Sequence, residues 1–308
     1  MLVESLEKQS GLDLSKLHWI ADTASSRYKI YPIKKKNGEN RIIAHPSRQL
    51  KSIQRWVNKR LFANFPVHER ATAYKIGGGI RSNAEFHQHT KFTLRLDFEN
   101  FFPSFQIRDI RRYLTSQNEH LGIGLSEYDI EFVCAICTRH QRLTIGAPSS
   151  PKITNAMMYG FDEAVSAFSQ ENNITYTRYA DDIFLSSAEP NKLGHAYQEA
   201  LRIIENYNVV PLTLNRDKTT FLSRRYKRSI AGVVVTPDYC LSIGRNRKRE
   251  IKALIHLYSL GALPEEKEAY LQGLMAFAMD IEPQFRTSMN SKYGAETIKS
   301  LLRQFDAD

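Results

Sequence analysis

Residues 175–187 read Thr-Tyr-Thr-Arg-Tyr-Ala-Asp-Asp-Ile-Phe-Leu-Ser-Ser. Two β-forming runs, 175–179 and 183–185, flank the adjacent carboxylates Asp181 and Asp182. The pattern predicts a tight hairpin that carries both acids at one end of its ribbon. Two carboxylates about 4 Å apart repel substantially at reduced dielectric. A divalent cation relieves that repulsion, and so does water around an ordinary solvated Asp turn. A third acid separates these readings. Residues 92–97, Phe-Thr-Leu-Arg-Leu-Asp, alternate apolar positions and bring Asp97 to a strand end. An Asp-ending strand beside a hairpin with two more Asp makes an all-oxygen site for two Mg²⁺ ions about 3.5–4 Å apart, with Mn²⁺ as a substitute. In that arrangement one ion activates an attacking hydroxyl and the other holds triphosphate oxygens.

The rest of the composition agrees with a polyanionic partner. The chain has 308 residues and a net charge of +10, from 43 Lys and Arg against 33 Asp and Glu. That excess favours nucleic acid first and an anionic membrane second. No apolar run approaches the ~18 residues of a membrane span. The opening Met-Leu-Val-Glu-Ser-Leu-Glu lacks a signal-peptide pattern. Cysteine usage fits the cytoplasm: Cys134 and Cys137 form a C-x-x-C without a second pair, and Cys240 stands apart. Half a zinc site is one reading of that motif. Ile130, Val133, Cys134 and Cys137 also fall on one helical face, which favours a buried core position.

Along the chain the first 20 residues read as a helical lead-in, and 28–46 as a hairpin turning at Asn37-Gly38 with Lys34, Lys35, Lys36 and Arg41 at its tip. Ser47 caps a predicted helix with Leu50, Ile53, Val57 and Leu61 in register. Three glycines, Gly77 to Gly79, open a loop. Helices are predicted near 107–116, 126–139 and 191–207, with one more from Pro151 through Val165. From Arg245 onward the pattern is helical and basic. The class is α+β, with a C-terminal helical part set apart from the main sheet.

Five segments in order resemble the reverse transcriptases, and the bacterial retron type in particular: Ser82–His87 (S-N-A-E-F-H), Leu94–Phe105 (L-R-L-D-F-E-N-F-F-P-S-F), Ile145–Asn155 (I-G-A-P-S-S-P-K-I-T-N), Arg178–Ser187 (R-Y-A-D-D-I-F-L-S-S) and Leu212–Phe221 (L-T-L-N-R-D-K-T-T-F). The resemblance implies a right-hand polymerase fold. A helical extension would occupy 1–27, fingers 28–96, palm 97–240 with inserted fingers helices at about 106–145, and a thumb 241–308. It implies RNA-directed DNA polymerase activity with Asp97, Asp181 and Asp182 catalytic, and a magnesium pair on Asp97, Phe98, Asp181 and Asp182. Lys36 and Arg41 would clamp the triphosphate of an incoming dNTP, with Lys218 nearby. Phe102 would sit beneath the sugar as a steric gate, and Gly146, Ala147 and Pro148 would approach the nascent base pair. Asn83 and His87 would handle RNA or primer, and Arg245, Arg247, Lys248 and Arg249 would grip RNA from the thumb.

Retron relatives copy part of their own structured noncoding RNA from an internal 2′-OH, leaving a branched RNA–DNA (msDNA). Many such systems pair with an effector protein and defend against phage. Two departures stand out: Thr144-Ile145-Gly146 replaces the usual P-Q-G, and Val235-Thr236-Pro237 the usual V-T-G. A group II intron or abortive-infection enzyme is the neighbouring alternative, although 245–308 is short for a thumb followed by maturase and endonuclease domains. A non-catalytic RNA-binding protein with a polymerase fold is the alternative of another class. Retention of all three Asp argues against it.

Overall fold

The computed structural model describes residues 1–34, 38–223 and 228–302. Helices and antiparallel strands are segregated rather than alternating in parallel units, as the α+β expectation requires. Strand β1 (Tyr28–Lys34) pairs with β2 (Asn40–Pro46) from Tyr28↔Pro46 to Lys34↔Asn40. Lys35, Lys36 and Asn37 of the expected basic tip lie outside the described residues. Ser47 accepts the Leu50 amide and starts the helix Arg48–Arg60, which buries Leu50, Ile53 and Val57 on one stripe.

The central sheet contains β3 (Phe92–Asp97), β4 (Thr175–Tyr179), β5 (Asp182–Ser187) and β6 (Thr220–Ser223), in the order β4-β5-β3-β6. All its pairings are antiparallel. Its two faces are both covered, which explains the unbroken apolar run in β5. Ile183 and Leu185 join Leu94 and Leu96 in the larger core with the N-terminal helices, while Phe184 joins a second core on the opposite face. The helices Tyr159–Glu171 and Lys192–Glu205 pack on the first side, and the helix Ile80–His87 packs on β4.

The second core links β7 (Arg228–Ile230), β8 (Val233–Val235) and β9 (Leu241–Ser242) to the C-terminal helices. These run Arg245–Ser259, Glu268–Ile281, Gln284–Tyr293 and Ala295–Leu302. Among the described residues, no helix is long and apolar enough to cross a membrane.

The lead-in forms two helices, Leu2–Ser10 and Leu14–Asp22, anchored where the Val3 amide donates to Asp129 at 2.8 Å. Cys134 and Cys137 are buried in the helix Glu127–Cys137, and burial pushes both thiols up to about 12. They are core residues. The single helix expected from Pro151 through Val165 is instead two, Ser150–Met157 and Tyr159–Glu171, because the chain turns at Met158.

Candidate active site

The three acids meet at one end of the central sheet. Asp97 is the last residue of β3 and Asp182 the first of β5, and the two are direct partners in the ladder. The β4–β5 turn is closed by Tyr179↔Asp182, so its two central residues are Ala180 and Asp181. This corrects the expectation of an Asp181-Asp182 turn: one acid lies in the turn and the other heads the strand. Ala180 has φ 56, a left-handed backbone that is unusual for a residue with a Cβ.

A buried network holds that backbone. Arg178 donates to both oxygens of Asp162, at 2.7 and 2.6 Å, and a further N–H reaches the Ala180 carbonyl at 3.1 Å. Tyr176 donates to the same Asp162 at 2.6 Å. Arg178 and Asp162 are both 0% exposed. Sequence reading missed this network. Its signal was a lone arginine in an otherwise β-forming run, with the partner acid on a helix 16 residues earlier.

Asp97 and Asp182 each face a cation. Lys218 lies 2.6 Å from Asp97, on a turn whose Asn215 amide donates to the Asp97 carbonyl at 2.8 Å. Arg95, two residues before Asp97, donates twice to one Asp182 oxygen, at 3.0 and 2.8 Å, and stands 4.0 Å from Asp97. Burial pushes the Asp182 carboxyl up to about 6; Arg95 opposes this, while the charges of Asp181 and Asp97 add to it. Burial also raises Asp181, reinforced by Asp97 and opposed by Arg41 and Lys218. Arg41 therefore reaches the field of the acids from the N-terminal hairpin. Tyr74, which the sequence did not single out, does so too: burial raises its phenol, and the Asp181 charge adds to the rise.

Among the described residues, no three His, Cys, Asp or Glu side chains are grouped so that they could together hold a metal ion. Lys218 and Arg95 take up carboxylate oxygens instead. The donor set still fits a hard divalent ion, being all oxygen, gathered at one sheet end and mutually repulsive.

The remaining expected residues are distributed unevenly. Phe98 is buried, stacked on Phe101, and its amide donates to the Asp181 carbonyl at 3.1 Å. Phe102 is half-buried on the short helix Phe101–Ser104, edge-on to Phe101. Gly146 has φ 112, and a Cβ there would lie 2.7 Å from the Ala44 carbonyl. The close approach it permits is to β2, where the Ala44 amide donates to Ile145 at 2.8 Å. Ala147 is buried, and the Pro148 carbonyl accepts from Asn58. Lys36 lies outside the described residues.

Two expectations need correction. Asn83 and His87 are both 0% exposed. Asn83 accepts from Thr72 at 2.9 Å, His87 meets Thr177 at 2.7 Å, and burial lowers the imidazole to about 3. His87, as a neutral imidazole, ties the helix to β4, and Asn83 ties it to Thr72, so neither side chain is at the surface for RNA. In the basic helix start, Arg247 donates to the Gly232 carbonyl and lies over Phe277, and Lys248 pairs with Glu282 at 2.5 Å. Both are engaged internally. Arg245 and Arg249 are exposed on the same turn of helix.

Comparison with known proteins gives one consistent result. The family model described as "Reverse transcriptase (RNA-dependent DNA polymerase)" matches residues 33–256. The chain is 36% identical over 287 residues to the Retron Ec83 reverse transcriptase of Escherichia coli, covering 91% of each. It is 31% identical to the Retron Ec73 reverse transcriptase of the same organism, covering 87% of each. Among solved structures, Candida albicans telomerase bound to a fragment of telomeric RNA superposes with a TM-score of 0.51 at 12% identity, covering 90% of this chain and 58% of that one. That likeness speaks to the fold alone.

Proposed function

Because this chain belongs to the reverse transcriptase (RNA-dependent DNA polymerase) family, and within it to the retron type, we propose that its RNA-directed DNA polymerase chemistry is carried out at Asp97, Asp181 and Asp182. The observation that carries this reading is the direct pairing of Asp97 with Asp182 beside a turn that holds Asp181. The family works with divalent metal ions. Here Asp97, Asp181, Asp182 and the Phe98 backbone are the proposed holders of Mg²⁺, or of Mn²⁺ in its place. Two such ions supply Lewis acidity to the attacking hydroxyl and charge neutralisation to the triphosphate. Lys218 and Arg95 pair with two of these carboxylates, Asp97 and Asp182.

Arg41, already within the electrostatic reach of Asp181, clamps the incoming dNTP together with Lys36. Lys218 is half-exposed beside Asp97, placed to exchange that carboxylate for a phosphate oxygen. Phe102 is the proposed sugar gate. Gly146, Ala147 and Pro148 shape the wall nearest the N-terminal hairpin. Residues 28–96 serve as fingers, 97–240 as palm and 241–308 as thumb, from which Arg245 and Arg249 hold RNA phosphates.

The substrate we propose is part of a structured noncoding RNA, copied from an internal 2′-OH into a branched RNA–DNA in the cytoplasm. Such a product serves phage defence together with an effector protein. The test is extension of a self-primed RNA with dNTPs and Mg²⁺, comparing parent and Asp181→Asn. Equal extension by both removes the site; extension by neither, with RNA still bound, favours a binding protein. Products sequenced without a branch sink the 2′-OH priming.

A further inference from the structure

Where the start of β1 and the end of β2 meet the helix Arg48–Arg60, the surface is hollowed into an open concavity of about 750 Å³. Its lining includes Arg27, Lys29, Arg48, Lys51 and Arg55 and, among the described residues, no Asp or Glu. Arg48, Lys51 and Arg55 recur at i, i+3 and i+7, so they share one helix face along roughly 10 Å of axis. The first turn of that helix contains no acid. Cations there oppose the helix dipole, and a bound anion reverses the penalty. Lys29, Arg48, Lys51 and Arg55 have no carboxylate partner among the described residues.

Arg27 is positioned rather than neutralised. Its Nε donates to Thr23 at 2.8 Å, one terminal nitrogen to Gln49 at 3.4 Å, and the guanidinium lies 4.0 Å from the Trp19 ring centre. None of these partners is charged. Like charges collected around one hollow repel one another, and polyanion phosphates relieve that while releasing their counterions.

The aromatic residues nearby decide the kind of polyanion. Single strands are held by stacking bases on open aromatic faces. Trp19 is covered by Lys16 at 3.8 Å as well as by Arg27, and Tyr28 is tucked against the core with its hydroxyl bonded to Gln54. Neither is a stacking platform. Cations without stacking surfaces suit a duplex, which is read through backbone and shape.

We propose that this concavity docks the sugar–phosphate backbone of an RNA stem, apart from the carboxylate cleft. The choice of RNA rests on the polymerase reading above. The surface is partly outside the family's common core, since Trp19, Arg27 and Lys29 all precede residue 33, where the family match begins. A stem held there anchors a structured RNA to one edge of the protein while another part of it lies in the cleft.

Binding of a blunt RNA hairpin to Asp181→Asn protein, without dNTPs and across a salt series, tests this. Adding Lys51→Glu/Arg55→Glu is expected to weaken affinity about 10–100-fold and to lower the slope of log K against log salt by about 2. Circular dichroism melting checks the fold, and Lys51→Gln/Arg55→Gln replaces the variant if it melts early. Parent-like affinity and slope in a folded variant overturn the proposal. A loss seen with a DNA hairpin of the same sequence but not with RNA overturns the assignment to RNA. Failure of the polymerase reading appears separately, as absence of primer extension by the parent protein.

Discussion

Asp97 and Asp182 face each other as the final pair of the β3–β5 ladder, and neither shares its cation equally: Lys218 contacts Asp97 and Arg95 grips Asp182. The consequence is measurable in the metal-free protein. Asp182 is held up at about 6 in the fold against an ordinary 3.8. Its folded pKa exceeds its unfolded one, so the contribution to stability is complete below about pH 4 and is lost as pH rises through about 6. Asp182→Asn removes that titration at nearly constant shape. In EDTA the variant is expected to exceed the parent by about 1–3 kcal/mol above pH 6, with the gap closing toward pH 4. Urea denaturation across pH checks it; a gap that does not change with pH rules out the buried, repelled carboxylate.

The proposed magnesium would oppose the same repulsion. A ligand that binds only the folded state stabilises by about 2.7 kcal/mol at one hundred times its Kd. The Tm of the parent is therefore expected to rise with Mg²⁺ at pH 8. Asp97→Asn and Asp181→Asn should each flatten that rise. An identical rise in parent and variants places magnesium elsewhere on the protein.

The Arg178–Asp162 pair is enclosed and also holds the Ala180 carbonyl of the turn. Arg178→Met leaves Asp162 charged and unpaired in the interior, at a cost of about 3–5 kcal/mol. Arg178→Lys cannot restore the two-pronged bond, since an ammonium lacks the planar fork. Replacing both partners, Arg178→Met with Asp162→Leu, is expected to recover part of the loss. Chemical denaturation of the four proteins measures this; a single-variant cost below about 1 kcal/mol contradicts the network.

The contrast between these residues indicates what a sequence can disclose. Asp97 and the β4–β5 hairpin were legible because strand periodicity and strand ends are local properties. The composition of the turn was not, because alanine gives no sign of a left-handed backbone; the Arg178 network that holds Ala180 supplies it. Asn83 and His87 carried a motif that suggested RNA contact, yet their burial depends on Thr72 and Thr177, the latter about ninety positions away. Arg247 and Lys248 resembled a solvent-facing basic run, and only the folded chain brings Gly232 and Glu282 to them. Charge patterns name the partner class well and the individual contacts poorly.

Phe102 is half-buried, edge-on to Phe101 and packed against the larger core. As the proposed gate, its ring would exclude a 2′-OH by volume alone. Phe102→Ala is expected to raise ribonucleotide incorporation by about tenfold or more relative to dNTP use, a transition-state difference of about 1.4 kcal/mol. Competing single-nucleotide extensions with dNTP and rNTP report the ratio. Unchanged selectivity in an active variant withdraws the gate and leaves Phe102 as packing.

The two pairs of cations at the start of the helix Arg245–Ser259 should separate by experiment. Arg245 and Arg249 are exposed, so Arg245→Gln/Arg249→Gln is expected to leave unfolding unchanged and to reduce the salt slope of RNA binding by about 2. Arg247 bonds the Gly232 carbonyl and covers Phe277. Arg247→Ala therefore loses about 1–2 kcal/mol of stability, from one hydrogen bond and the packed stem. Lys248, whose ammonium pairs with the Glu282 carboxylate, is the cation already neutralised within the protein, so Lys248→Gln should leave the salt slope at the parent value. Fluorescence-anisotropy titrations with a labelled RNA hairpin, paired with melting curves, read both quantities on the same samples. A slope reduced by Lys248→Gln and untouched by the exposed pair would reverse the assignment of these cations.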